Sequence, residues 1–306
     1  MEDYPVCLMD FEERFSTEEA CREYFEKLRW PDGFRCPRCG HEGYWLTKRK
    51  LYHCQQCGLQ TSLLAGTVLE GSRKPLQLWF RAMWHIANQE CGANALRLKG
   101  ELNLGSYQTA WVWLHKLRHA MVRPGRDKLA AVVEADETYM GGERSGERGQ
   151  GAHGKALVLV VVEQDEKGIG RIRLKQIPDA SAESLMPAIR EAVELGSTVH
   201  TDSWKGYSSL RKSGYIHNVV REEDSVGDSL LPSVHRVVSL LKRWLVDTYQ
   251  GAVEPSHLDY YLDEFTFRFN RRTSHSWEEL FDLLVQQAAA VDPIPAKNIR
   301  GGNHNI

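Results

Sequence analysis

Two short cysteine pairs constrain this chain more than any other feature. They are Cys36-Pro37-Arg38-Cys39 and Cys54-Gln55-Gln56-Cys57, and each is followed by a glycine, Gly40 and Gly58. Two residues between cysteines let one tight turn aim both thiolates at one ion, and the glycine takes up the backbone conformation that brings amides toward sulfur. Two such knuckles close a tetrahedral four-thiolate shell with no open position. Cys36, Cys39, Cys54 and Cys57 are therefore expected to hold a structural Zn2+ in a zinc ribbon. The alternative, free thiols or a redox pair, leaves a segment too small to fold without metal. His41 and His53 read as neighbours of the site rather than ligands. Tyr44, Trp45 and Tyr52, with Lys48, Arg49 and Lys50, are either the ribbon's own core or a nucleic-acid surface. Cys7, Cys21 and Cys91 bring the total to seven, an odd number that argues against a disulfide framework, and they acquire no role from the sequence.

The rest of the composition sets bounds. At 306 residues the chain is long enough for two or three compact units, and 42% hydrophobic with 26% charged residues is the balance of a soluble globular protein. No stretch reaches the length of a membrane helix, and the opening eleven residues lack the basic, apolar, small-residue order of a secretory signal, so a cytoplasmic protein is expected. The net charge of −2 means that any nucleic-acid surface must come from uneven distribution. Basic residues do cluster, at residues 48–50, at Lys116, Arg118 and His119, at Lys242 and Arg243, and at Arg268, Arg271 and Arg272. Each cluster is either a solvated face or a DNA contact.

Apolar periodicity orders the chain. Helical spacing appears over residues 16–28, with Ser16 and Glu19 as a capping box, and again over 76–89, 93–101 and 106–122. The pair 93–101 and 106–118, with Gly105 in the turn, has helix-turn-helix spacing. Its second helix offers Gln108, Trp113, Lys116 and Arg118 to a groove, and the plain alternative is two packed helices. After residue 130 the pattern becomes strands at 131–134, 156–163 and 169–176, a helix at 181–195, strands at 198–200 and 217–220, then helices at 233–246, 256–269 and 276–290. That order fits an RNase H-like α/β (α+β) fold, a mixed sheet flanked by helices. The expected domains are a helical segment over 1–33, the zinc ribbon over 34–72, a helical DNA-binding region over 73–128, the RNase H-like domain over 129–292 and a flexible tail over 293–306.

Acids stand where two of those strands end. Val132-Val133-Glu134-Ala135-Asp136-Glu137 and Val199-His200-Thr201-Asp202 each run from apolar residues into carboxylates. Neighbouring strands ending in oxygen ligands suit Mg2+ or Mn2+ and in-line phosphoryl displacement, and Asp136 and Asp202 are the chosen ligands. Glu134 shares the strand parity of Asp136 and Glu137 has the opposite parity, so either assists or stands aside. On the helix that follows, His235, Ser239 and Lys242 fall on one face, His235 as ligand or phosphate contact and Lys242 as a point cation for phosphate.

Taken together, FRCPRCG with the second cysteine pair, QTAWVWLHKLRHAM, VEADETYMGG, HTDSWKGY, LLKRWL and HLDYYLDEFTFRFNRR resemble the insertion-sequence transposases that carry an N-terminal zinc ribbon and a DDE-type integrase-like domain, the group typified by the Xanthomonas insertion element. The resemblance implies metal-dependent cleavage and strand transfer at element ends, with Asp136 and Asp202 as metal-binding aspartates and Lys242 as the basic residue of the last helix. It implies double-stranded DNA as partner, a homodimer or higher oligomer on DNA, no membrane, and a bacterial, nucleoid-associated location. Two turns before Lys242 this chain has His235 where the plain pattern has Glu, which favours Mn2+ over Mg2+ at that ligand. Glu254 and Glu264 are fallback acids, and Arg243, Arg271 and Arg272 are candidate DNA contacts. The rivals are an inactive transposase-derived DNA-binding protein and an RNase H-type nuclease.

Overall fold

The structure is a computed structural model and describes residues 4–89, 92–123, 125–141, 155–166, 168–221, 230–249, 253–273 and 277–302. Cys91 and the end of the tail from residue 303 lie outside the described residues. The chain divides into two compact units, one of residues 1–124 with 274–300 and one of residues 125–273 with 301–306.

The first unit is helical around the ribbon. Helix α1 (Leu8–Arg14) was not expected from the sequence. Its N-cap is Cys7, whose sulfur accepts the Asp10 N–H at 3.5 Å, an unusual cap that propensity does not signal. Helix α2 (Glu18–Arg29) is capped by Thr17, one residue after the expected Ser16, while the Glu19 side chain pairs with Lys50. The ribbon contributes β1 (Tyr44–Leu46), β2 (Tyr52–Cys54) and β3 (Gln60–Thr61), an antiparallel sheet in that order. Helices α3 (Leu76–Ala87), α4 (Ala95–Glu101) and α5 (Tyr107–Ala120) follow, α4 and α5 capped by Asn94 and Ser106. Phe11, Phe15, Tyr24, Phe80 and Trp84 pack with Phe281, so α9 (Trp277–Ala290) belongs to this unit although the sequence grouped it with the sheet domain. Its apolar residues carry no mark of which core they join; the aromatic partners decide it.

The second unit is a five-stranded mixed sheet. Strands β4 (Val132–Met140), β5 (Ala156–Asp165) and β6 (Gly168–Ile177) are antiparallel neighbours; β7 (Thr198–Thr201) and β8 (Ile216–Val219) add in parallel on the other side of β4. The order β6-β5-β4-β7-β8, with helices on both faces, is the RNase H-like arrangement expected. Alternation along β4 divides the cores. Val133 and Ala135 join Leu157, Leu159 and Val161 against α6 (Ala182–Ala192). Val158, Val160 and Val162 face α7 (Pro232–Tyr249) and α8 (Leu258–Phe269) through Val234, Val237, Leu241 and Phe265. Strand β4 continues six residues past the expected end because β5 pairs with it as far as Met140. Its pairing with β7 stops at Glu134–His200, so the acids sit just beyond the parallel part of the ladder.

The segment 257–272 closes the sheet's edge. Asn270 accepts the Ile172 N–H at 2.7 Å and donates to the Ile172 carbonyl, pairing with edge strand β6 as another strand would. Among the described residues no helix is long and apolar enough to cross a membrane.

Candidate metal centres

The four ribbon cysteines converge. Cys36 and Cys57 sulfurs are 3.5 Å apart, Cys39 and Cys54 sulfurs 3.6 Å, and all four lie within 4.8 Å of one another. Thiolates on one tetrahedral zinc stand about 3.8 Å apart for bonds of ~2.3 Å, so the residues fit the ion. The knuckle geometry follows from the sequence: Gly40 and Gly58 adopt φ of +74° and +69° and return their N–H groups to the Cys36 and Cys54 carbonyls. Tyr52 is buried against Trp30 and Phe34 and belongs to the ribbon core, whereas Trp45 is 49% exposed and stacks on His53.

A second, acidic site forms at the ends of β4 and β7. Asp136 lies on the α7 face of the sheet, and His235, at the start of α7, brings Nε2 to 3.7 Å from its Oδ2. Two atoms sharing one octahedral ion stand about 3–4 Å apart, so the His235 and Asp136 atoms are spaced to share a divalent cation. Burial raises the Asp136 pKa above the aspartate range, and the charge of Asp202 adds to the rise, against the Glu137 N–H that bonds Oδ1 at 2.9 Å. Glu137 projects to the other face. Burial raises its pKa as well, the charges of Asp136 and Asp202 add to it, and a 2.6 Å hydrogen bond from the Tyr207 hydroxyl opposes the rise. The three carboxylates therefore repel one another across the end of the sheet. Among the described residues only the four sulfurs bring three or more ligand atoms within 4.8 Å; the acidic site is more open.

The loop after β7 builds the second arm. Asp202 Oδ1 accepts the Trp204 N–H at 2.9 Å, and the Thr201 hydroxyl donates to the Asp202 carbonyl while pairing with His217 Nε2 at 2.9 Å. Burial, with Arg211 beside it, lowers the His217 pKa and favours neutral imidazole. The Trp204 indole N–H is bonded to the Ala180 carbonyl, and a side chain at Gly206 would meet that oxygen at 2.5 Å, so only glycine lets the loop close. Tyr207 and its bond to Glu137 were missed from sequence, although Tyr207 stands in HTDSWKGY.

Glu134 is not at the acidic site. It is 3% exposed, and its carboxylate accepts the Ser233 hydroxyl at 3.0 Å, the Val234 N–H at 3.0 Å and the Gln164 amide at 2.8 Å. Glu264, a fallback acid, is buried in α8 with Arg268 and Tyr249, and Glu254 is exposed near His257. Lys242 is exposed on α7, two turns from His235.

The expected DNA contacts divide. Trp113, Lys116 and Arg118 are buried: Trp113 stacks on Trp79, Lys116 donates to the Val68 and Glu70 carbonyls, and Arg118 donates to the Ala93 carbonyl. This corrects the expectation for those three, because α5 is buried nearly all round, as a helix at the centre of a unit must be. Gln108, in its first turn, remains exposed. Arg271 bonds the Phe267 carbonyl and lies over the Phe267 ring of α8, while Arg272, which is exposed, bonds the Phe269 carbonyl and the Gly170 carbonyl of the edge strand. Arg243 is exposed on α7.

An RNase H-like sheet with carboxylates at adjoining strand ends stands in a chain that also carries a four-cysteine ribbon. Residues 128–270 match the family model described as ISXO2-like transposase domain, and residues 16–60 match that described as transposase zinc-ribbon domain. Together they take in well over half of the 306 residues. The chain belongs to the insertion-sequence transposases with an N-terminal zinc ribbon and a DDE-type domain. It is also similar to a "Mos1 transposase paired-end complex with left transposon end" (15% identity, 66% of this chain and 77% of that chain, TM-score 0.26) and to a "Crystal structure of the Mos1 Strand Transfer Complex" (14%, the same coverage, 0.26). None of the curated proteins compared matches the chain.

Proposed function

We propose that this transposase cuts double-stranded DNA at the ends of its element and joins the freed end to target DNA. The reading rests on one observation: the His235 imidazole, on α7, stands 3.7 Å from the Asp136 carboxylate on β4. Asp136 and Asp202 would hold the divalent ion with His235 as a further ligand, Mn2+ accepting the imidazole more readily than Mg2+. A bound ion of this kind supplies charge stabilisation at the attacking and leaving oxygens of the phosphate. Lys242 neutralises phosphate charge from the same helix face as His235. In the first step a water oxygen bonds to phosphorus and the 3′ oxygen leaves as a free hydroxyl. In the second, that hydroxyl bonds to a target phosphorus and displaces another 3′ oxygen, one phosphodiester replacing another with no external energy source.

The ribbon's zinc is structural, its four thiolates leaving no ligand position open. Gln108, Arg243 and Arg272 are the exposed members of the expected DNA contacts, and two protomers acting together, one at each end, fit a reaction on paired element ends. A cytoplasmic, nucleoid-associated protein follows from that substrate.

The test joins labelled duplexes carrying the terminal repeats that flank the gene to plasmid DNA in Mn2+ or Mg2+. Wild type is expected to nick and join, and Asp202→Asn to lose roughly a hundredfold or more, the scale of several kcal/mol from an ion's contribution. Binding without metal-dependent nicking by wild type would establish the second reading, a transposase-derived DNA-binding protein, which the His235 departure leaves open. Preference for an RNA–DNA hybrid would establish the nuclease.

A further inference from the structure

The buried carboxylate of Glu134 has no place among the ligands, yet it is fully engaged. Its three donors come from two elements: Gln164 on β5, and Ser233 and Val234 in the first turn of α7. Pro232 opens that helix and has no N–H to give, and the Leu231 carbonyl accepts the first helical bond, from His235, at 3.0 Å. A helix N-terminus presents unpaired N–H groups and partial positive charge, and a carboxylate with three donors answers both without water. Glu134 thus fastens the start of α7 to the middle of β4.

Its neighbours on both elements are the site. Two residues further along β4, on the same face, is Asp136; one residue further along α7 is His235. The structural anchor and the 3.7 Å approach of His235 to Asp136 are therefore consecutive steps along the same two elements. A slip of α7 by one residue turns each side chain by about 100° around the helix axis, which would carry His235 off Asp136. The apolar contacts of Val234, Val237 and Leu241 fix which face of α7 meets the sheet. Those contacts are nondirectional, and they tolerate small sliding and rotation. The directed bonds at Glu134 remove that freedom.

The geometry points to Glu134 as the positioning residue of the metal site: it sets the register of α7 against β4 and so delivers the His235 imidazole to the ion that Asp136 holds. The inference rests on the proposed metal-dependent function and adds to it a residue that touches neither metal nor DNA.

A double-mutant cycle on the zinc-loaded full chain tests it, with Mn2+ affinity measured by calorimetry as readout. Glu134→Gln keeps size but places an amide where two donors point. It is expected to weaken Mn2+ binding about tenfold or more, the usual effect of removing a residue that orients a ligand. In a His235→Ala background the same change should have no further effect, because the imidazole it positions is gone. Ser233→Ala, which removes one of the three bonds, should give a smaller loss with the same dependence on His235, and it serves if Glu134→Gln does not fold. An equal loss with and without His235, or no loss, overturns the inference while leaving the metal site standing, provided His235→Ala itself weakens Mn2+. If His235→Ala leaves affinity unchanged and Asp136→Asn abolishes it, the imidazole is no ligand and the positioning role falls with it. If Asp136→Asn also leaves affinity unchanged, the proposed site itself fails.

Discussion

The ribbon and the acidic site gather ligands for metal in opposite ways. In the ribbon, four sulfurs stand within 4.8 Å of one another, each knuckle shaped by its own turn and the aromatic core of Trp30, Phe34 and Tyr52 beside them. In the sheet unit, burial raises the pKa of Asp136 and Glu137, the charge of Asp202 adds to the rise, and the site stays more open. One site is closed by geometry and the other is an open cluster of part-buried acids. The difference accords with a structural zinc, which needs every position filled, and with the proposed working ion, which would need room for phosphate and water.

The comparison can be broken most severely at the ribbon. Cys54→Ser, or chelation of zinc, should abolish the ribbon's structure, since metal binding worth about 10–16 kcal/mol in small zinc modules is also their folding energy. Protease cleavage confined to residues 34–61 would report it, and the sheet unit should keep its protection. A ribbon that survives chelation would mean that its aromatic core suffices alone.

A smaller effect is expected at Tyr207. Tyr207→Phe removes the 2.6 Å bond to Glu137, and hydrogen bonds to charged groups contribute about 1.5–3 kcal/mol. The urea midpoint should fall accordingly, and the Glu137 pKa should rise further, because that bond opposes the rise. An unchanged midpoint would show that water replaces the hydroxyl.

The smallest effect has the opposite sign. Because the folded-state pKa of Asp136 is raised, its contribution favours the folded state below the ordinary aspartate range and is lost as pH rises through the raised value. Without divalent metal, Asp136→Asn should therefore match wild type in acid and be more stable at neutral pH. A Tm higher by roughly 2–4 °C corresponds to ~1 kcal/mol in a unit of this length. Divalent metal should reverse the order. A lower Tm for Asp136→Asn at neutral pH without metal would show that the carboxylate is stabilised rather than repelled.

How much was legible in the sequence follows the same division. The ribbon was legible because its ligands sit in two local motifs whose spacing is itself the geometry. The sheet order was legible from the alternation of strands and helices. The two aspartates could be chosen because apolar strands run into them. What stayed hidden depends on partners distant in sequence. Glu134 and Asp136 share a strand face, and only the arrival of Ser233 and Val234 makes one an anchor. Tyr207 became part of the site through Glu137, seventy residues earlier. Lys116 and Arg118 read as a basic surface, but their stems and heads are taken up by backbone carbonyls inside the helical unit. Arg271 and Arg272 read as either core-packing or DNA-binding; Arg271 bonds the Phe267 carbonyl of its own helix, and Arg272, still exposed, bonds the Gly170 carbonyl.

The account stands on two aspartates gripping a divalent ion, and Mn2+ titration of the zinc-loaded full chain by calorimetry addresses that most directly. Wild type is predicted to bind Mn2+ at the acidic site, and Asp136→Asn and Asp202→Asn each to lose that binding while zinc content stays unchanged. Retention of wild-type Mn2+ affinity by both variants would contradict it.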